Sequence, residues 1–200
     1  MNEILKNIYT WSVYSKEKKI NFNGYFLYSE DSTFPNVVID PPYLNRSDLQ
    51  LFDSLGSVQH IIITNRNHVR WSIELKEKCN AKISINLEDK NKDTLIADNY
   101  FNHDELLFGF LKTIVVPDNK SPGETALYWD ERNILFLGDA LIGKPSGSVS
   151  LLPPEKYSDI KRAKKGLHVL DKLDFDSVLM ADGDPILAQG KKIINEFLIN

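Results

Sequence analysis

The sequence has a single cysteine among 200 residues, Cys79, so the chain can form neither an internal disulfide nor a cysteine-based zinc cluster. Cys79 falls in a helical pattern, where a small buried apolar residue is expected rather than a reactive thiol. No run of 18 apolar residues occurs, which excludes an ordinary membrane-spanning helix. A basic surplus is missing as well: 24 Lys and Arg stand against 28 Asp and Glu, a net charge of -4 that argues against a nucleic-acid partner. There is no Gly-x-Gly-x-x-Gly, and Gly143-Lys144-Pro145-Ser146-Gly147-Ser148 lacks the spacing of a phosphate loop. The opening Met1 to Lys6 has no long apolar core of a secretory signal, and the expectation is a cytoplasmic protein without a membrane partner.

What is present is an ordinary globular composition, 42% hydrophobic and 26% charged, in a length suited to one α/β domain over residues 1–200. Strands are expected over Ile8–Tyr14, Asn23–Tyr28 and Pro35–Pro42, the last stopped by two prolines. A short helix follows to Leu55, with Ser47 as its cap and Gly56 as its stop. The unbroken run Ile61-Ile62-Ile63 reads as a strand buried on both faces. Helix is expected over Val69–Cys79 and strand over Ala81–Asn86. In the second half, Leu106–Pro117 is mostly apolar, and Ala126–Asp130 and Ile134–Gly138 read as a hairpin. Gly143–Pro154 is a loop or lid. A helix over Ser158–Leu173, a strand over Ser177–Ala181 and a helix over Ile186–Ile199 complete the chain. Two β-rich halves with helices outside predict two packed sheets flanked by helices.

Five motifs occur in a telling order. Val38-Ile39-Asp40 is a strand ending in an acid. Thr64-Asn65-Arg66-Asn67-His68-Val69-Arg70 is a polar turn between a buried strand and a helix. Ser121-Pro122-Gly123-Glu124-Thr125 precedes a strand, and Ile134-Leu135-Phe136-Leu137-Gly138-Asp139-Ala140 is followed late by Val178-Leu179-Met180-Ala181-Asp182-Gly183. This series resembles the metallo-β-lactamase superfamily across nearly the whole chain, which implies the αββα sandwich of that family. The resemblance places Asn65 and Asn67 where the family has its first two histidines and Val69 where it has its metal-binding aspartate. Arg70, Glu124 and Asp182 stand at further histidine positions, with Asp184 close behind. Among the family's metal ligands only Asp139 is retained. His68 lies at a spacer position, so its side chain is expected to point differently from a ligand.

Zinc prefers imidazole and thiolate, amides are poor ligands, and a guanidinium cannot shed its charge, so a dinuclear zinc centre is not expected. The expectation is instead no cofactor, with Arg70, helped by Arg66, neutralising Glu124, Asp139 and Asp182 in the space metals would fill. Two other readings stay open. Glu124, Asp139 and Asp182, with amide oxygens of Asn65 and Asn67, could hold a hard divalent cation such as Mg²⁺ or Mn²⁺. Alternatively, Asn65, Asn67 and Glu124 simply cap loop backbone. His60, His103 and His168 are scattered and read as structural or solvated, leaving His68 as the one histidine beside the pocket. Function is therefore either binding of a small molecule or protein partner in a polar pocket, or hydrolysis of a small ester, thioester or lactone-like substrate by a non-zinc metal or a His/carboxylate site. Oligomeric state is not encoded in any motif.

Overall fold

The run ending at Ile63 is a central strand, and its burial on both faces explains why it never alternates. The computed structural model describes residues 1–90 and 95–199. Its first sheet holds β1 (Asn2–Leu5), β2 (Ile8–Ser15), β3 (Ile20–Leu27), β4 (Val37–Ile39), β5 (His60–Ile63), β6 (Lys82–Asn86) and β7 (Asn99–Phe101), side by side in chain order. β1 to β4 form an antiparallel meander, whereas β4 to β7 run parallel. The second sheet contains β8 (Leu106–Leu107), β9 (Leu111–Val115), β10 (Thr125–Trp129), β11 (Ile134–Leu137) and β12 (Ser177–Met180), in the order β12-β11-β10-β9-β8. β10 and β11 form the expected antiparallel hairpin, and β12 joins β11 in parallel. No helix among the described residues is long and apolar enough to cross a membrane.

Three apolar layers separate four layers of structure. Between the sheets, Tyr25, Ile39 and Ile62 of the first meet Leu127, Phe136 and Leu179 of the second. The outer face of the first sheet presents Val38, Ile61 and Ile63 to Phe52 of α1 (Arg46–Leu55) and Leu75 of α2 (Ser72–Cys79). The outer face of the second presents Leu135, Leu137 and Val178 to Leu167, directly after α3 (Ile160–Gly166), and to Ile194 of α4 (Gly190–Ile199). Alternate residues of β5 and β11 thus enter different layers, and a two-faced strand needs apolar residues at every position.

Several boundaries differ from the sequence expectation for local physical reasons. Asn45, not Ser47, caps α1, its side-chain oxygen accepting from the Asp48 N–H at 2.9 Å. α2 starts at Ser72 rather than Val69, because Arg70 sits at φ 43 in the left-handed region, where a helix cannot propagate. The helix expected over Ser158–Leu173 is capped by Asp159 and tightens at Leu167 into a 3-10 turn through Lys172. Ile186 pairs with Val178 as a bridge, so the terminal helix begins only at Gly190. β1 and β7, both short, had no expected counterpart.

Candidate functional site

Four site segments begin where parallel strands end. Asp40 follows β4, Asn65 to His68 follow β5, Asp139 follows β11, and Asp182 follows β12. The carboxyl ends of strands in α/β sheets are where ligands collect, since chain reversals there leave backbone and side chains free to converge. The two sheets are stitched together at this end. Asn23 of β3 donates through its backbone N–H to the Ala181 carbonyl at 2.7 Å and through its amide to the Met180 and Gly183 carbonyls at 2.8 and 2.6 Å.

His68 occupies the centre, and this corrects the expectation that it points elsewhere. Residues 66–68 form a 3-10 turn capped by Asn65, whose side-chain oxygen accepts from the Asn67 N–H at 2.9 Å. With three residues per turn, Asn65 and His68 fall on one side, so both are buried while Arg66 and Asn67 face outward. Asn67 is therefore no part of the pocket interior. His68 Nδ1 lies 2.9 Å from Asp40 Oδ2, and Nε2 lies 3.4 Å from Asp139 Oδ1. Asp40, fully buried, also accepts from the Thr64 N–H at 2.8 Å and the Thr64 hydroxyl at 2.5 Å.

The remaining charges are paired in turn. Lys120 Nζ lies 2.6 Å from Asp139 Oδ2. Arg70 bonds Asp182 and donates to the carbonyls of Asn23 and Asp40 at 3.1 and 3.3 Å, with its guanidinium 4.8 Å from the centre of the Phe22 ring. Arg70 thus neutralises one of the three expected acids. Asp139 is held by His68 and Lys120 instead. Arg66 is not a member of the network: its backbone N–H and guanidinium approach Asp89, which also accepts from Ser121 and from the Gly123 N–H. Asp184 contributes backbone to a bridge with Gly143, and its carboxyl does not join the donor group formed by His68, Asp139 and Asp182.

Electrostatics follow from burial and these contacts. Burial and the Arg70 charge both lower the His68 pKa, but Asp139 and Asp40 outweigh them and raise it to about 10. Burial alone would raise Asp139, yet His68 and Lys120 hold its carboxyl below the usual range. Glu124 is fully buried, and burial first, then the Asp139 charge, pushes its pKa well above the ordinary value. Its Oε1 accepts from the Asp139 N–H at 2.8 Å and the Ala140 N–H at 3.2 Å. The carboxyl caps the loop, and its raised pKa favours the protonated form. Gly138 is required beside it, because a Cβ there would collide with Thr64, Asn65 and Glu124. A neutral glutamine at this position would keep the acceptor, so Glu124→Gln is expected to lower folding stability by no more than about 1.5 kcal/mol in urea unfolding. A loss of several kcal/mol would mean that Glu124 is ionised.

Capping by Asn65 and Glu124 and the ion-pair network therefore coexist. Lys120 and Asp89 escaped the sequence reading. Lys120 directly precedes the Ser121-Pro122-Gly123 turn, and that adjacency was the available signal. Asp89 follows β6 without any motif to mark it.

The donor chemistry bears directly on metal. One ligand atom each from His68, Asp139 and Asp182 lie within 4.8 Å of one another, close enough for a single ion. The expected acidic set is corrected here: His68 takes the place of Glu124. Asp40 on Nδ1 also orients the imidazole as a carboxylate does behind a metal-bound histidine. Against an ion stand the protein's own cations, Lys120 on Asp139 and Arg70 on Asp182. A dinuclear zinc centre does not fit these residues, since Asn65 is turned to its cap, Asn67 faces outward and Arg70 is bonded to Asp182.

Two facing sheets, flanking helices and a polar site at the strands' carboxyl ends define an αββα metallo-hydrolase sandwich. The chain belongs to the metallo-beta-lactamase superfamily, whose family model matches residues 3–200. Solved structures share the fold at low identity. A metallo-beta-lactamase from Pontibacter korlensis is 13% identical with a TM-score of 0.74, over 99% of this chain and 96% of that one. A metallo-beta-lactamase family protein from Thermus thermophilus is 18% identical with a TM-score of 0.70, over 98% and 80%. A metallo beta lactamase from Hirschia baltica is 14% identical with a TM-score of 0.70, over 99% and 95%. No curated protein matches the sequence.

Proposed function

We propose that this superfamily member works without a zinc centre and uses the cleft above Asp139 and Asp182 as a polar pocket for a small molecule. One observation carries the reading: each member of the His68, Asp139 and Asp182 donor group already has a protein partner. Asp139 has His68 and Lys120, Asp182 has Arg70, and His68 has Asp40. The three acids Asp40, Asp139 and Asp182 face the three cations His68, Lys120 and Arg70, and burial favours the protonated form of Glu124. A dication entering this set would have to displace a proton from His68 and break two buried ion pairs. Protein purified without chelator is expected to carry well under one zinc, iron or manganese per chain by elemental analysis, and its melting temperature should not move on adding EDTA. Stoichiometric metal that EDTA removes with a fall in melting temperature would overturn the reading.

The same His68, Asp139 and Asp182 group supports the second reading, a hydrolase of a small ester, thioester or lactone-like substrate with one divalent ion. The elemental analysis separates the two. Metal-free catalysis by His68 has less support, because its side chain is 3% exposed and lies beneath the cleft rather than in its wall.

A further inference from the structure

The cleft has two unlike walls. It has a volume of about 570 Å³ and lies between the turn joining β2 to β3 and the segment from Ile142 to Lys156. That size is within the roughly 300–1,000 Å³ of small-molecule sites. One wall is apolar, formed by Ile20, Ile142, Leu151, Leu152, Pro153 and Pro154. The rest is charged, with four lysines and three acids at the lining.

Pairing decides what remains for a ligand. Asp139 is taken by Lys120 and Asp182 by Arg70. Lys18, Lys144 and Lys156 are then left facing a single acid, Glu17. Three positive charges against one leave a surplus of two. Lys144 is exposed, with its ammonium resting on the Lys19 carbonyl at 3.2 Å, and Lys18 and Lys156 are exposed too. A monoanion would leave half of this surplus uncompensated. A phosphate monoester, close to doubly charged at neutral pH, would match it.

We propose that this cleft binds an organic phosphate monoester, its dianionic head between Lys144, Lys156 and Lys18 and its apolar body along Leu151 to Pro154. The proposal rests on the metal-free reading, because the lysines rather than a metal ion supply the positive field. The apolar wall demands a hydrocarbon or ring on the ester, so inorganic phosphate alone fills only part of the site. Attraction by exposed ammonium groups also makes affinity fall as salt is raised.

Titration calorimetry of EDTA-dialysed protein with hexyl phosphate tests this, with hexanol, hexanoate and inorganic phosphate as controls. Hexyl phosphate is expected to saturate one site per chain and to bind at least about tenfold more tightly than each control. The K144Q/K156Q double variant, altered only at exposed side chains, is expected to lose at least about tenfold in affinity with an unchanged melting temperature. Equal binding of hexanol, equal binding of hexanoate, or indifference to the double variant would each overturn the assignment. If hexyl phosphate binds neither the EDTA-dialysed protein nor protein purified without chelator, the ligand inference alone falls. If binding needs a stoichiometric ion that EDTA removes, the metal-free reading falls instead.

Discussion

Replacing Arg70 with alanine is expected to cost about 3–5 kcal/mol of folding stability, the cost of stranding a buried charge. The pair it forms with Asp182 is largely enclosed, with 11% and 9% of the two side chains exposed. Solvent screening that reduces surface ion pairs to a fraction of this is absent here. Arg70 also donates to carbonyls of both sheets, Asn23 and Asp40 on one side and Ala181 on the other. Its loss leaves Asp182 unneutralised and removes one donor from each of three carbonyls at the seam. Urea unfolding of Arg70→Ala, Arg70→Lys and the double variant Arg70→Met with Asp182→Leu measures the effect. Lysine should recover part of the loss, since it restores charge but not the planar fork. The double variant should recover more, since no charge is stranded. A loss below about 1 kcal/mol for Arg70→Ala, the range of exposed pairs, would contradict the enclosed geometry.

The second large effect concerns pH. His68 has its pKa raised to about 10 in the fold, against 6.5 when unfolded. Its pairing with Asp40 and Asp139 therefore stabilises fully below about pH 6.5. Above that, the folded state holds a proton that the unfolded state has released, so stability falls with rising pH until about 10. The slope approaches about 1.4 kcal/mol per pH unit for one proton. Glu124 acts in the same direction, because its raised pKa also makes the folded state bind the extra proton above the ordinary carboxylate range. Unfolding curves from pH 5 to 10 for the wild type, His68→Gln and Glu124→Gln separate the two. His68→Gln should be less stable than the wild type at pH 6 by about 3–5 kcal/mol, as for a broken buried pair. Its curve should also be flatter between pH 7 and 10. A wild-type curve level across that range would show that His68 is not protonated.

The double-sided burial of β5 and β11 was legible because strands covered on both faces leave a continuous apolar signature. The hairpin of β10 and β11 was legible because turn residues separate two apolar runs. Element starts were not, since Arg70 and Gln189 adopt left-handed backbone that no propensity signals. The site divided in the same way. Asp40, Asp139 and Asp182 could be placed because each ends an apolar strand in a recognisable order. Lys120 could not be tied to Asp139, a residue 19 positions away, by spacing alone.

Sequence by itself determined the layered architecture and the family, because these depend on residue type and order along one strand. Which charge meets which was decided only by tertiary structure. A 3-10 turn at residues 66–68 rotated His68 inward and Asn67 outward, reversing the roles their positions in the motif had implied. Packing of the two sheets then brought Lys120 to Asp139 and Arg70 to Asp182. Buried charges must be paired, and the partner is whichever opposite charge the fold carries within reach, whatever its distance along the chain.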